Sequence, residues 1–208
     1  ILEAVRAGVE DSFRAGLLWE QEALAACMDT AAARAKLHLF FATRQAAKIP
    51  GLEGIEPLEV STAGVVGMGT MGTGITQALL QAGLSVVACD EDPSALDRGR
   101  RKIEESLGRR VEQNKLARGE ADRLLGRLLT TTRASDLAGA DLVIEAVFED
   151  VQVKRSVLGL LEHVCRPDAV LASNTSTISL DELAAGLRRP ERVPVSYTHL
   201  TLPTNREV

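Results

Sequence analysis

Residues 64–74 read GVVGMGTMGTG, and the fold turns on how this stretch is read. Gly67, Gly69 and Gly72 stand as Gly-x-Gly-x-x-Gly, a spacing that ordinary turns also show, so the neighbours decide its meaning. On its N-terminal side TAGVVG (62–67) reads as a short apolar strand. On its C-terminal side GTGITQALLQAG (72–83) reads as a helix closed by Gly83. A second strand follows, LSVVACD (84–90), and it ends on an acid, Asp90. Strand, glycine turn, helix, strand and terminal acid make up the context of a dinucleotide fingerprint. In that setting Gly67 permits the tight turn, Gly69 lets backbone approach a pyrophosphate, and Gly72 lets the helix sit close to the strand. The helix N-terminus offers unpaired N–H groups and a positive dipole end to the phosphates. Ile75, Ala78, Leu79 and Ala82 supply the stripe expected to pack that helix on a sheet. A carboxylate at Asp90 accepts hydrogen bonds from the adenosine ribose and repels a 2′-phosphate. No Arg follows it directly, which favours NAD over NADP. The alternative is that Asp90 only caps the turn before Pro93.

Outward from this core the same alternation continues. Asp92-Pro93 is a helix start, and 94–127 reads as a charged helix pair broken near Arg118-Gly119. RLLTTTR (127–133) is a strand, SDLAGA (135–140) a short helix, ADLVIEAVF (140–148) a strand and 151–165 a helix. DAVLASN (168–174) is one more strand, before a helix with Ser179 and Glu182 in capping-box spacing. Strands apolar on both faces, alternating with helices, predict an α/β fold: a Rossmann-type doubly wound, mostly parallel sheet. Upstream, 2–47 reads as helices. Ala4, Val5, Val9 and Phe13 share a face, Gly16 interrupts, and Leu17, Leu18, Leu24 and Met28 follow. Asp29 or Thr30 offers an N-cap for a further helix with Leu37, Phe40 and Phe41 turned inward. IPGLEGIEPLE (49–59), with two prolines and two glycines, is a linker and puts a domain boundary near residue 58.

A chain of 208 residues accommodates one such domain and an extra piece. A net charge of −5 argues against a nucleic-acid partner. Cys27, Cys89 and Cys165 lie far apart with no CxxC, which points to idle thiols in a reducing, cytoplasmic compartment and to no metal site. No apolar run has the length of a membrane span. Ile1 already lies inside what reads as a helix, so the chain is expected to begin within a longer protein.

Three motifs in order, GVVGMGTMGTGITQALLQAGLSVVACDEDPSAL (64–96), ADLVIEAVFEDVQVKRSVL (140–158) and LASNTSTISLDELA (171–184) with RPERV (189–193), resemble the cofactor domain of L-3-hydroxyacyl-CoA dehydrogenases. The resemblance runs from about Ser61 to Val193. KLHLFFATRQAAKIPGL (36–52) is similar to the end of the hydratase half and linker of multifunctional fatty-acid oxidation enzymes. The resemblance implies an NAD-dependent oxidation of L-3-hydroxyacyl-CoA to 3-oxoacyl-CoA in β-oxidation, with an acyl-CoA substrate and, in some such enzymes, a thiolase subunit as partner. It divides the chain into 1–57, the helical end of the hydratase region with its linker; 58–194, the NAD-binding domain; and 195–208. It implies that Met71 touches the cofactor, that Asp90 meets the ribose, and that Val147, Phe148 and Glu149 line the cofactor. Lys154 would pair with it, and Ser176 would orient nicotinamide and substrate. Left open are a surface ion pair for Glu149 and Lys154 and a turn cap for Ser176. Ser106 falls where the family touches coenzyme A, and nearby Arg109, Arg110 and Lys115 either attract its phosphates or form a solvated helix face. Two other functions stay open: a dehydrogenase of a non-CoA hydroxy acid, and a non-catalytic NAD-binding module.

The family continues with HFFNP, whose His is the catalytic base. By count from Ser176 that position holds Tyr197, with His199 two residues late, and an untuned Tyr is a poor proton acceptor near neutrality. VSYTHLTLPT (195–204) resembles the translation of a transposase-type sequencing adapter. Residues 195–208 are therefore expected to be a non-native tail in which Val195, Leu200 and Leu202 sustain no strand, on a fragment that binds NAD but lacks the base.

Overall fold

The structure, a computed structural model, describes residues 1–46 and 58–196, and its internal contacts divide the chain into Ile1–Pro57 and Leu58–Val208. In the first unit the apolar heptad-like spacing produces α1 (Leu2–Glu10), α2 (Phe13–Met28) and α3 (Ala31–Ala46). Ser12 caps α2 through the Ala15 N–H (3.2 Å), and Thr30 caps α3 through the Ala33 N–H (3.1 Å), which settles the choice between Asp29 and Thr30. Among the described residues of these helices Gly16 is the one that is buried; a Cβ on it would meet the Ala4 carbonyl oxygen and the Gly8 Cα, each at 2.8 Å. Contrary to expectation, Leu37, Phe40 and Phe41 are not inward: they are 41%, 50% and 60% exposed. An amphipathic stripe needs a facing layer to bury it, and among the described residues of this unit there is none. Phe40 instead meets Phe41 edge-on and carries Arg44 over its ring at 4.4 Å.

The second unit carries β1 (Thr62–Val66), α4 (Thr70–Gln81), β2 (Ser85–Cys89), α5 (Pro93–Glu112), α6 (Arg118–Gly126), β3 (Leu128–Thr131), β4 (Leu142–Glu145), α7 (Val151–Val164), β5 (Val170–Ser173) and α8 (Leu180–Ala184). Every strand pair is parallel, in the order β3-β2-β1-β4-β5. The order reverses between β1 and β4, and an open sheet leaves its crevice there, outside the carboxyl ends of the strands. Short strands rich in Val, Ala, Leu and Ile are buried on both faces. Ala63, Val65, Val86, Ala88 and Ile144 join Leu79, Leu80, Ile103 and Leu107 in one core; Val143 and Leu171 join Leu137, Leu158, Leu161 and Leu183 in the other.

Four local expectations change. The buried face of α4 is Gly72, Thr73, Thr76, Leu79 and Leu80, with Ala78 exposed, because the helix rotates to put Gly72 against the turn. The threonine hydroxyls turn inward and are satisfied locally, Thr73 Oγ1 donating to the Met68 carbonyl at 3.2 Å. The break after α5 falls at 113–117, not at Arg118-Gly119, since Asn114 takes up a left-handed turn (φ 56°) that Asn tolerates and Arg does not. The Ser179–Glu182 capping box is not formed: α8 is a single turn and the Ser179 side chain makes no cap bond. Finally, Val195 pairs in parallel with Ser173. Ser173 N–H donates to the Pro194 carbonyl (3.0 Å) and Ser196 N–H to the Ser173 carbonyl (2.9 Å). The free edge of β5 offers backbone groups that an extended 194–196 satisfies, and Pro194 needs only its carbonyl to do so. Tyr197, His199, Leu200 and Leu202 lie outside the described residues.

Gly72 and Gly74 test how α4 is seated. A Cβ on Gly72 would run into the Gly67 carbonyl oxygen, whereas one on Gly74 meets nothing within 4 Å. Gly72→Ala is expected to cost about 1–3 kcal/mol and lower the melting temperature by several degrees. Gly74→Ala, in the helix interior, is expected to hold or raise it. Thermal melts followed by circular dichroism check both; an unchanged Gly72→Ala melt would show that the turn is not close-packed.

Candidate functional site

Chain leaving β1 crosses the end of β4 at Gly67. Its φ of +94° is one an L side chain rarely takes, and a Cβ there would meet the Ala146 carbonyl oxygen at 2.8 Å. The turn is thus drawn tight at the switch point. Gly69 is different: its φ of −68° suits any residue, yet an added Cβ finds no atom within 4 Å. The backbone at Gly69 is thus open to an approaching group, with no Cβ in the way. No side chain caps α4, whose first hydrogen bond runs from the Thr73 N–H to the Gly69 carbonyl (3.0 Å). The N–H groups of its first turn therefore stand at the head of the helix dipole, as a pyrophosphate requires. Met71, in that turn, is 57% exposed.

Asp90 does hold the turn, the alternative that the sequence left open beside the ribose. Its Oδ2 accepts the Met68 N–H at 2.6 Å and its Oδ1 the Asp92 N–H at 2.9 Å, so the carboxylate fastens the glycine turn to the end of β2. A carboxylate has about four acceptor positions, which leaves capacity for ribose hydroxyls. The neighbouring Cys89 is buried. Burial, followed by the charges of Asp90, Asp136 and Glu91, pushes its thiol up to about 11, so it stays protonated and unreactive.

On the other side of the switch point, β4 and β5 deliver a network that sequence reading saw only in part. Lys154 is 1% exposed, so the surface-pair reading does not hold. Its Nζ lies 2.9 Å from both oxygens of Glu145, which is fully buried, and 3.2 Å from Glu149 Oε2. The Ser173 hydroxyl donates to Glu145, and the Thr175 N–H donates to Ser173 Oγ at 3.1 Å. Burial pushes the Glu145 carboxyl above the ordinary range, against the pull of Ser173, Lys154 and the Val147 N–H. Glu149 Oε1 accepts the Thr175 hydroxyl (2.7 Å) and the Ser176 N–H (2.8 Å). Burial opposes ionisation here too, but these two donors and Lys154 hold Glu149 down to about 2. Glu145 was missed as a functional residue. The available signal was an acid closing an otherwise apolar strand, nine residues before a lysine.

Glu149 and Ser176 are thus brought together, while Ser176 keeps an exposed side chain whose hydroxyl reaches Glu149 only at 3.4 Å. Thr175, not Ser176, caps the following turn, through the Ile178 N–H (3.0 Å). Val147 is half-buried and Phe148 is 79% exposed beside them. Ser106 stands apart: it is half-buried on α5 and accepts the Gln77 amide at 2.9 Å, tying α5 to α4. Arg109 and Lys115 are exposed and Arg110 is half-buried. His163, on α7, bonds only the Gly159 carbonyl one turn back (2.7 Å). Among the described residues no cluster of His, Cys, Asp and Glu has the makings of a metal site.

Two expectations follow from the network. Lys154→Met leaves Glu145 buried without its cation and is expected to cost about 3–5 kcal/mol, with Glu145→Gln/Lys154→Met costing less than Lys154→Met alone; urea denaturation checks this. Glu149, lowered from the ordinary 4.5 to about 2, adds stability that is complete above about 4.5 and is lost as pH falls through the window down to 2. The melting-temperature gap between wild type and Glu149→Gln should therefore be constant above that window and close within it. A gap independent of pH would contradict the assignment.

The chain is similar to known proteins. Residues 62–206 match the family model described as 3-hydroxyacyl-CoA dehydrogenase, NAD binding domain. A peroxisomal fatty acid beta-oxidation multifunctional protein of Oryza sativa is 33% identical over 194 residues, covering 92% of this chain and 27% of that protein. A 3-hydroxybutyryl-CoA dehydrogenase of Mycobacterium tuberculosis is 43% identical over 135 residues, covering 64% of this chain and 47% of that protein. The crystal structure of 3-hydroxybutyryl-CoA dehydrogenase from Escherichia coli K12 superposes with a TM-score of 0.64 at 41% identity, over 65% of this chain and 29% of that one. This chain spans about a quarter of the length of the multifunctional relative. With the tight glycine turn, the uncapped start of α4 and the parallel sheet in place, the chain belongs to the family of NAD-binding domains of 3-hydroxyacyl-CoA dehydrogenases.

Proposed function

We propose that the chain is the cofactor half of an NAD-dependent L-3-hydroxyacyl-CoA dehydrogenase, within a multifunctional enzyme of fatty-acid β-oxidation. The observation that carries this reading is the open cradle at Gly69 on the same sheet edge as Asp90 and Glu149. NAD, when bound, supplies the hydride acceptor. The chain's own residues bind and orient. The first turn of α4, with Met71, receives the pyrophosphate, and Asp90 receives the adenosine ribose. Val147, Phe148, Glu149 and Ser176, at the ends of β4 and β5, line the nicotinamide end. The Lys154 ammonium acts there through Glu149, which it holds ionised. Ser176, exposed beside Glu149, faces the 3-oxygen of the acyl-CoA. Ser106 and the basic residues after it are the candidates for coenzyme A.

Residues 1–57 are read as the end of a hydratase region with its linker, and 58–194 as the cofactor domain; a thiolase subunit is the partner this organisation invites. Buried Cys89 and Cys165 and exposed Cys27, all free, suit a reducing compartment. The rice relative's name widens the cytoplasmic expectation to the peroxisome. Among the described residues no helix is long and apolar enough to cross a membrane.

One observation favours a second reading, an NAD-binding module without turnover. Among the described residues no histidine stands at the carboxyl ends of the strands to take the hydroxyl proton. Fluorescence titration with NADH and NADPH separates the claims. The chain should bind NADH and prefer it. Gly69→Ala should weaken it about tenfold with an unchanged melt, since the new methyl fills only the cradle. Asp90→Ala should weaken NADH binding and narrow the preference. NADH-dependent reduction of acetoacetyl-CoA by this chain alone, lost on Ser176→Ala, would overturn the second reading.

A further inference from the structure

The sequence carries no Arg directly after Asp90, but the fold brings one from the neighbouring strand. In the β2–β3 register Cys89 stands opposite Thr131, and the Asp90 N–H donates to the Thr131 carbonyl at 3.2 Å. Arg133 follows two residues later, after a bend at Thr132. An Arg near the ribose acid is the group that accommodates a 2′-phosphate in NADP-binding members of the fold class.

Here that Arg is already engaged. Its guanidinium meets Asp136 Oδ2 with Nε at 3.3 Å and Nη2 at 3.1 Å. Asp136 is itself fixed: the Thr131 hydroxyl donates to the same oxygen at 2.6 Å, and its side chain is 20% exposed against 75% for Arg133. The Arg133 N–H closes the loop onto Thr131 Oγ1 at 3.0 Å. The Thr131 hydroxyl, then the Arg133 guanidinium, hold the Asp136 carboxyl below the usual carboxylate range, so it is an anion at neutral pH. Arg98, on α5, is likewise held by Asp92 (3.3 Å) and Ser94 (2.6 Å).

We propose that Asp136 is a specificity-determining residue. By holding Arg133 it withholds from a 2′-phosphate the cation that would accept it, and it adds a second negative charge beside Asp90, so that the site selects NAD over NADP. Both effects have the same sign. The proposal rests on the assignment of Asp90 to the ribose, and the test keeps the two apart.

Wild type, Arg133→Ala, Asp136→Asn and the double variant are titrated with NADH and NADPH, each after a thermal melt. Wild type should prefer NADH; a preference for NADPH would sink the Asp90 assignment itself. Arg133→Ala should bind NADH as wild type does, because Arg133 is held away; a large loss would show that it already touches the cofactor and overturn the proposal. Asp136→Asn should shift the NADPH-to-NADH affinity ratio toward NADPH by about tenfold, the worth of one charge-assisted phosphate contact. Adding Arg133→Ala should return the ratio to the wild-type value. An unchanged ratio in Asp136→Asn, or a gain that survives loss of Arg133, contradicts the proposal. Should Asp136→Asn fail to fold, Thr131→Val removes the hydroxyl that fixes Asp136 while keeping every charge. It should shift the ratio in the same direction by a smaller factor, and no shift is equally contradictory.

Discussion

Among the described glycines the tightest position is Gly72, where two stretches of backbone meet: the carbonyl of Gly67 lies where a Cβ on Gly72 would stand. That approach seats α4 on β1 and rotates its Thr73–Thr76–Leu79–Leu80 face into the core. It leaves the first turn of the helix uncapped above an empty space at Gly69. The left-handed conformation of Gly67 and the Asp90 carboxylate on the Met68 N–H hold the same turn from its other side. Neither an ordinary side chain at 67 nor one at 72 fits this arrangement without a shift, and the open helix start at Gly69 exists because of it.

The second half of the site is fixed by charge where the first is fixed by shape. Glu145, Lys154, Ser173 and Thr175 are buried. A buried Glu–Lys pair gains little over apolar packing, but loss of one partner is costly, so the arrangement favours a single geometry over a looser one. Its reach explains why. Through Lys154 the pair holds Glu149, and through Glu149 it holds the backbone of Ser176. Two loops from different strands are thereby set at the crevice before any ligand arrives.

Legibility followed distance along the chain. The glycines and Asp90 lie within one strand–turn–helix–strand unit, and the turn they build was readable because local chemistry decides it. The α4 stripe was misread by one position because Thr73 and Thr76 look polar, although their hydroxyls are satisfied by Met68 and cost nothing to bury. Glu145 escaped notice because its partners lie 9 and 28 residues away, and only the β4–β5 pairing brings Ser173 to it. Arg133 and Asp136 acquire meaning only once β3 is known to lie beside β2. In α1–α3 the apolar pattern was read correctly as helical, and at Leu37, Phe40 and Phe41 of α3 wrongly as inward, since periodicity predicts a face and says nothing of whether a layer exists to cover it.

The central claim is that one crevice, along the carboxyl edge of a single parallel sheet, unites the glycine turn with the Glu149–Ser176 loops. Backbone amide shifts of the isotopically labelled chain on addition of NAD+ test it most directly. The account predicts that the amides of 68–72 and of 147–149 and 175–177 move together with one saturation curve, while those of α1 and α6 stay put. Shifts confined to the glycine turn, or two curves with different midpoints, would contradict a single cofactor spanning both ends.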